Sequence, residues 1–204
     1  MVPTPHGDAR LHVDRSKRPV ATLVLGHGAG GGVTARDLAV LAKLLPAQGV
    51  SVFRVEQPWR VAGRKIAAST RILDEAWLTV VNTLRPQTPL VVGGRSAGAR
   101  VACRTAKHLG ASGCLAMAFP LAPPNNPHKS RIDELTAAGV PTLVVQGDRD
   151  SFGAPDSFPS TVDLAVIPGA DHGFATLKRA DLSQDEALSV LVEAVLEWIT
   201  REIA

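Results

Sequence analysis

The chain has 204 residues, of which 45% are hydrophobic and 20% are charged, and this predicts one globular α/β domain over residues 1–204. Its two cysteines are interpreted as cytosolic free thiols, which predicts a cytoplasmic location. Its formal net charge of +3 is smaller than nucleic-acid surfaces usually carry, so nucleic acid is not an expected partner, although anion binding stays open. No apolar stretch is long enough to span a membrane, and the charged first twenty residues argue against a secretory signal.

Short apolar runs alternate with helical patterns along the chain. The N-terminal stretch predicts a small antiparallel hairpin, with Gly7-Asp8 between its two runs. Six later runs are rich in Val and Leu with little polar alternation, as in strands buried on both faces: 21–26, 50–55, 89–93, 113–118, 141–146 and 162–167. Helical patterns lie near 35–47, 67–85, 96–109 and 130–138. A final helix over 184–203 begins with Ser183 and Glu186, which resemble a capping box.

This alternation predicts a mostly parallel central sheet with helices on both faces. In such sheets ligands bind beyond the carboxyl ends of the strands, so functional residues are sought in the loops that follow strands. Trp77 and Trp198 lie in helical patterns and are expected in the core. Cys103 and Cys114 have no metal-ligand spacing and are expected to be free thiols.

A Gly-x-Ser-x-Gly segment, Gly94 to Gly98, lies between a strand-like run and a helical pattern. This is the context of a nucleophile elbow, in which a serine occupies a strained turn above the sheet. Glycines two residues before and after that serine leave room for the strand and helix to cross. The segment therefore indicates Ser96 as a nucleophile, and a glycine-rich turn without chemistry is the alternative.

A serine nucleophile needs a general base, which is normally histidine. Of the six histidines, His172 directly follows the last strand-like run, where a loop can reach back over the sheet edge. His128, which lies in a proline-rich loop, is the second choice. His108 stands at the far end of the helix that Ser96 begins and therefore points away.

The histidine in turn needs a carboxylate to hold its tautomer. Asp148 and Asp150 both follow the strand-like run 141–146. We favour Asp150, which lies deeper in the loop, while Asp148 is closer to the strand end and could pair with an arginine. The order Ser96, Asp150, His172 along the chain is that of the α/β-hydrolase fold.

Acyl transfer also requires hydrogen-bond donors aimed at the developing oxyanion. The backbone N–H of Ala97 is the first candidate. The glycine-rich segment 26–32 follows a strand and supplies the second, for which Ala29 is the first choice and Gly28 the next. His27 is interpreted as structural, holding this loop by hydrogen bonds.

The same segment raises a rival hypothesis, since Gly26, Gly28 and Gly31 match a dinucleotide-binding fingerprint. That fingerprint needs an acidic residue some way downstream, and Glu56 stands at the end of the next strand-like run. A nucleotide-binding oxidoreductase would leave the three candidate catalytic residues unexplained, so it is the less favoured hypothesis.

Four segments carry a family resemblance: 27–31 (HGAGG), 93–98 (GGRSAG), 147–150 (GDRD) and 171–173 (DHG). They resemble the small α/β-hydrolases of the dienelactone-hydrolase-like group. Within it, they are most similar to lid-less proteins related to the hydrolase-like subunit of a histone acetyltransferase complex. The resemblance runs from about residue 20 to the end and implies an α/β-hydrolase fold with Asp150 in the Gly-x-x-Asp position.

Two features of that group limit which of its properties are expected of this chain. Dienelactone hydrolase itself has a cysteine nucleophile where this chain has Ser96, so its substrate is not carried over. Some members of the subgroup act as assembly subunits, so a non-catalytic interaction module is the alternative function.

The loop 119–130 is too short for a lid domain, which predicts an open cleft suited to small or exposed esters. Four residues near strand ends are expected to line the substrate site: Trp59, Arg95, Phe119 and Leu121. The favoured function is a serine hydrolase of the carboxylesterase type that acts on a small-molecule ester without metal or cofactor. The sequence does not indicate an oligomeric state.

Overall fold

The computed structural model describes residues 1–203, and the single residue beyond them belongs to the predicted domain but lies outside the described part. Eight strands form one sheet: β1 (Val2–Thr4), β2 (Gly7–Asp14), β3 (Ala21–Gly26), β4 (Val50–Glu56), β5 (Leu90–Arg95), β6 (Gly113–Met117), β7 (Thr142–Gly147) and β8 (Asp163–Ile167). Six helices accompany them: α1 (Arg36–Leu44), α2 (Pro58–Val61), α3 (Thr70–Asn82), α4 (Ala97–Thr105), α5 (Ile132–Thr136) and α6 (Gln184–Glu202).

The strand order is β1-β2-β4-β3-β5-β6-β7-β8. From β4 to β8 every neighbouring pair is parallel, whereas β1 and β2 are antiparallel and β2 joins the sheet antiparallel to β4. The predicted mostly parallel sheet and all six predicted core strands are confirmed to within two residues at each end. The parallel strands place the loops after β3, β5, β7 and β8 at one edge.

Side chains alternate between two core layers along each central strand, as the period of a strand requires. On β3, Leu23 and Leu25 pack in the layer formed with α1 and α6, while Val24 packs in the layer formed with α3 and α4. Trp198 is buried in the first layer and Trp77 in the second. Helices therefore cover both faces, as predicted, and the sheet edge that carries the site rests on two packed layers.

Local boundaries differ from the sequence-based expectation at the hairpin and after α1. The hairpin is present, but its turn is Pro5-His6, and Gly7 already begins β2 with φ 102°. The pattern at 35–47 is not one helix: α1 ends at Leu44 and a 3-10 turn, Leu45–Gln48, follows. Pro46 explains the break, because proline lacks an N–H and its ring obstructs the preceding helical turn.

The predicted start of the last helix is confirmed. The Ser183 hydroxyl accepts the N–H of Glu186, and the Glu186 carboxylate accepts the N–H of Ser183, which completes the capping box. The loop between β6 and α5 contains neither helix nor strand, in agreement with the absence of a lid that was predicted for this region. Within residues 1–203, none of the helices has the length and apolar character needed to cross a membrane.

Candidate active site

Ser96 lies between β5 and α4 with φ 53° and ψ −110°, a conformation that L residues rarely adopt. The glycines beside it are required by close backbone contacts. A Cβ on Gly94 would lie 2.5 Å from the carbonyl oxygen of Gly26, and a Cβ on Gly98 would lie 2.3 Å from the same atom. Glycine therefore lets the elbow approach the end of β3, which brings Ser96 beside the loop that follows that strand.

His172 faces Ser96 across the sheet edge, with 3.0 Å between its Nε2 and the Ser96 Oγ. Its loop is held by Asp171, whose Oδ1 accepts the N–H groups of Gly173 (2.7 Å) and Ala175 (2.9 Å). Gly147 lets the end of β7 lie close to the loop that carries His172, because a Cβ at Gly147 would lie 2.3 Å from the carbonyl oxygen of Ala170. The position of the imidazole is thus fixed by its own loop and by the end of β7.

Asp150 lies on the other side of the imidazole, with 2.7 Å between its Oδ2 and the Nδ1 of His172. Its carboxylate is buried and also accepts the N–H of Phe152 at 2.8 Å. A proton on Nδ1 is assigned by this contact, and it leaves the Nε2 lone pair directed at the Ser96 hydroxyl. Asp148, the competing carboxylate, is exposed.

Two further residues support this group and were not found from the sequence. Gln146 is fully buried and donates from Nε2 to the Asp150 carboxylate (2.8 Å) and to the carbonyl oxygen of Gly153 (3.0 Å). The Phe152 ring lies against the His172 ring, with 4.3 Å between centroids. The available signal for Gln146 was a polar amide that directly follows the apolar residues 143–145 of β7.

The predicted oxyanion donors lie together beside the nucleophile. A Cβ on Gly28 would lie 3.5 Å from the Cβ of Ser96. Within residues 1–203, the N–H groups of Gly28, Ala29 and Ala97 make no hydrogen bond. These groups are available to an oxyanion, and the donor role of Ala29 or Gly28 stays a prediction.

His27 anchors the loop that carries these donors. Its Nδ1 donates to the carbonyl oxygen of Gly28 (2.9 Å), and its Nε2 accepts the N–H of Gln57 (3.1 Å). Burial lowers the pKa of His27 below the ordinary value of 6.5. A neutral imidazole therefore joins the loop to the residue that follows β4.

This lowered pKa predicts a specific loss of stability in acid. The unfolded chain takes up a proton at His27 near pH 6.5, whereas the folded chain resists it, so the free energy of unfolding falls as the pH drops from 6.5 toward the lowered folded pKa. Denaturant unfolding at about pH 7.5 and about pH 5.5 measures the loss. His27→Gln should lose less stability than wild type over this range, while His108→Gln, at an exposed position, should lose as much.

The four residues expected to line the substrate site have different surroundings. Trp59 is 4% exposed and lines a narrow space of about 10 Å³ beside Ala29 and Ala97, which is room for about one water molecule. Leu121 lines a separate groove of about 550 Å³ next to Phe152. Leu121 therefore borders open space, whereas Trp59 borders almost none, and a substrate role for either residue stays a prediction.

Phe119 and Arg95 do not fit that expectation. Phe119 is fully buried in the core layer formed with α3 and α4, because the chain turns inward after β6 at Ala118 (φ 45°). Arg95 is bound inside the protein: its Nη2 donates to the carbonyl oxygen of His172 at 2.9 Å, and its Nε lies 3.4 Å from the buried carboxylate of Asp37. Arg95 therefore connects the histidine loop to α1 and holds it in position.

Asp37 has an unusual environment as a consequence. Its carboxyl group is fully buried, and burial raises its pKa above the ordinary value of 3.8, an effect that the positive charge of Arg95 partly offsets. The Nη1 of Arg95 would lie 3.6 Å from a Cβ on Gly28 and 3.7 Å from a Cβ on Gly31, so Arg95 also lies next to the loop that carries the oxyanion donors.

The arrangement that a dinucleotide site requires is not assembled. The helix after the glycine-rich segment begins only at Arg36, so the glycines do not lie at its N-terminus. Glu56, the acidic residue of that hypothesis, contacts Arg10 (3.3 Å) and His12 (3.5 Å).

In the part of the chain that the structure describes, no group of three His, Cys, Asp or Glu side chains is placed to hold a metal ion. Cys103 and Cys114 are free thiols, as expected.

Comparison with known proteins places these features in a family. Residues 19–200 match the Alpha/beta hydrolase domain family. A comparison with curated proteins gives no match. Several solved structures share the fold at low sequence identity.

Three of these structures illustrate the similarity. The first is XC6422 from Xanthomonas campestris, described as a serine hydrolase without a lid: 19% identity, TM-score 0.74, covering 99% of this chain and 93% of that one. Est1E from Butyrivibrio proteoclasticus has 15% identity and a TM-score of 0.74, with 98% of each chain covered. Dienelactone hydrolase from Anabaena variabilis has 15% identity and a TM-score of 0.73, covering 100% of this chain and 96% of that one.

Proposed function

The chain belongs to the Alpha/beta hydrolase domain family, and on that basis we propose that it is a serine hydrolase of the carboxylesterase type. The observation that supports this most directly is the continuous hydrogen-bonded series from Asp150 through His172 to Ser96, with distances of 2.7 and 3.0 Å. A serine so placed can transfer its proton to imidazole while it attacks a carbonyl carbon.

The reaction begins with attack of the Ser96 Oγ on the ester carbonyl, while His172 Nε2 takes the hydroxyl proton. Asp150 holds the imidazole in orientation and stabilises the imidazolium that forms. The carbonyl oxygen becomes an oxyanion beside the N–H groups of Ala97 and of Ala29 or Gly28. His172 then returns the proton to the alcohol that leaves.

The acyl group is now esterified to Ser96, and water releases it. His172 removes a proton from that water as it attacks the acyl carbonyl, and the same oxyanion donors stabilise the second tetrahedral intermediate. Its collapse breaks the bond to Ser96 Oγ, which regains its proton from His172. The products are a carboxylic acid and an alcohol, and neither step requires a metal or cofactor.

The proposed substrate is a small ester or an exposed ester on a larger molecule. The loop between β6 and α5 contains neither helix nor strand, so no lid domain is inserted there, and the alcohol portion of the ester is proposed to extend outward. The space beside Ala29 and Ala97 is about 10 Å³, which does not accommodate a long lipid chain.

Labelling with a fluorophosphonate, followed by peptide mapping, tests the proposal. Folded protein is expected to carry the label on Ser96, and short-chain esters are expected to be hydrolysed above the rate of a Ser96→Ala control. An unlabelled Ser96, together with hydrolysis no faster than that control, would contradict it.

The same experiment addresses the narrower resemblance to the hydrolase-like subunit of a histone acetyltransferase complex, which stays a prediction. A purely structural member of that subgroup would bind a stable protein partner and hydrolyse no ester over a broad panel. Labelling of Ser96 with ester turnover would argue against that alternative.

A further inference from the structure

Gln146 places a polar amide inside the protein, next to the loop that carries Asp150. Its side chain is 0% exposed and follows the apolar residues 143–145 of β7. Burial of an amide costs free energy unless its polar groups find hydrogen-bond partners. In the described part of the chain Nε2 has two partners, whereas Oε1 has none. The contribution of this side chain therefore comes from its two amide N–H groups.

These two N–H groups bind the loop after β7 at two points. One donates to Asp150 Oδ2 at 2.8 Å, and the other donates to the carbonyl oxygen of Gly153 at 3.0 Å. Turning the amide over would place Oε1 against two acceptor oxygens, so the contacts define which end of the amide carries the nitrogen. Gln146 thus connects β7 directly to the Asp150 carboxylate.

The oxygen of Asp150 that Gln146 contacts is also the one that faces His172. Oδ2 lies 2.8 Å from Gln146 Nε2 and 2.7 Å from His172 Nδ1, while Oδ1 accepts the N–H of Phe152 at 2.8 Å. The Asp150 side chain is 0% exposed, so its carboxylate depends on these donors rather than on water. Without Gln146, the Phe152 N–H alone would oppose rotation of the carboxylate away from the imidazole, since the last side-chain torsion of aspartate has no sharply preferred angle.

We propose that Gln146 is a positioning residue for ester hydrolysis and that it acts through Asp150. The carboxylate must face His172 Nδ1 during every proton transfer, because it holds the imidazole in orientation and stabilises the imidazolium that forms. A small displacement of such a group lowers the rate strongly, by about 100-fold for 1 Å. This inference rests on the proposed esterase function, to which it adds a residue that acts on the histidine through the carboxylate.

Replacing Gln146 with methionine tests the proposal, because methionine keeps the length of the side chain and removes both N–H donors. The kcat for a short-chain ester is expected to fall about tenfold to 100-fold, with KM within about twofold of wild type, since the change affects proton transfer and not substrate binding. Thr142→Val is the matched control. It removes another buried donor of β7, the Thr142 hydroxyl that donates to the carbonyl oxygen of Val140 at 2.8 Å, and should leave both constants within about twofold.

Circular dichroism and thermal unfolding verify that each variant is folded. Within residues 1–203 the Oε1 of Gln146 has no partner, so the fold is expected to tolerate an apolar side chain at this position. An unchanged kcat in Gln146→Met, an equal loss in Thr142→Val, or failure of Gln146→Met to fold would each overturn the proposal.

A double-variant comparison shows whether Gln146 acts through Asp150. In an Asp150→Asn background, Gln146→Met is expected to lower kcat by no more than about twofold, because the carboxylate that it positions is gone. The same factor of loss in both backgrounds would indicate a structural effect that is independent of Asp150, and this too would overturn the proposal.

Proton NMR separates this inference from the proposed function, because it requires no turnover. The His172 Nδ1 proton, which is hydrogen-bonded to a carboxylate, is expected as a resonance far downfield of the backbone amides that disappears in His172→Ala. Gln146→Met should shift this resonance or broaden it by exchange with water, and Thr142→Val should not. A wild type without the resonance would contradict the contact between Asp150 and His172 on which the inference depends.

The two measurements together distinguish the possible failures. If no ester is hydrolysed but the resonance responds to Gln146→Met alone, the proposed function fails and the positioning role is supported. If esters are hydrolysed while neither kcat nor the resonance changes in Gln146→Met, the positioning role alone fails.

Discussion

Replacing His172 with alanine is expected to lower kcat for ester hydrolysis by roughly 10⁶-fold, because Ser96 then has no base to accept its proton. The 3.0 Å contact between His172 Nε2 and Ser96 Oγ is the basis of this expectation. Ser96→Ala should cause a loss of similar size. The double variant should be no slower than either single one, since the two residues act as a unit.

The catalytic role proposed for the Asp150 carboxylate can be tested by comparison with Asp148, which lies two residues earlier. Asp150→Asn is expected to lower kcat by about 10⁴-fold, because an amide beside His172 Nδ1 favours the wrong tautomer. Asp148→Asn alters an exposed side chain and should retain nearly full activity. Steady-state kinetics on a short-chain ester, with thermal unfolding to verify folding, measure both. Equal losses in the two variants, or full activity in Asp150→Asn, would contradict the assignment.

The sequence was sufficient to bring these three residues to one place. Val-rich and Leu-rich runs identified the core strands, and strands buried on both faces in alternation with helices imply a parallel sheet. In a parallel sheet all carboxyl ends meet at one edge, so Ser96, Asp150 and His172 had to lie near each other once each was placed after a strand. The direction of each side chain then depended on loop conformation.

That dependence explains what the sequence did not predict. Phe119 and Arg95 both stand at strand ends, yet one turns into the core and the other contacts Asp37 and the histidine loop. Strand position gives a residue's location along the edge, whereas backbone angles such as φ 45° at Ala118 decide whether a side chain points inward. Gln146 was missed for the same reason, since its bonds to Asp150 and Gly153 exist only after the loop has folded.

Gly98→Ala is expected to destabilise the protein by about 3 kcal/mol or more, although alanine is the better helix former. A Cβ at this position would lie 2.3 Å from the carbonyl oxygen and 2.4 Å from the carbonyl carbon of Gly26. Both are backbone atoms of a central strand, so no side-chain rotation relieves the overlap. The elbow must move away from β3, and Ser96 must move with it.

Gly30→Ala is the matched control, because Gly30 lies in the loop after the same strand and a Cβ there would meet nothing within 4 Å. Its free energy of unfolding in urea should stay within about 0.5 kcal/mol of wild type. Gly98→Ala should in addition lose fluorophosphonate labelling of Ser96 under conditions where the protein is still folded. If Gly98→Ala were as stable and as reactive as wild type, the close approach of α4 to β3 could not be what holds the serine beside the oxyanion donors. The strained backbone of Ser96 and the close packing of Gly94 and Gly98 would then be independent of each other. The contacts of Gly26 with both glycines indicate instead that this packing holds Ser96 in its strained conformation.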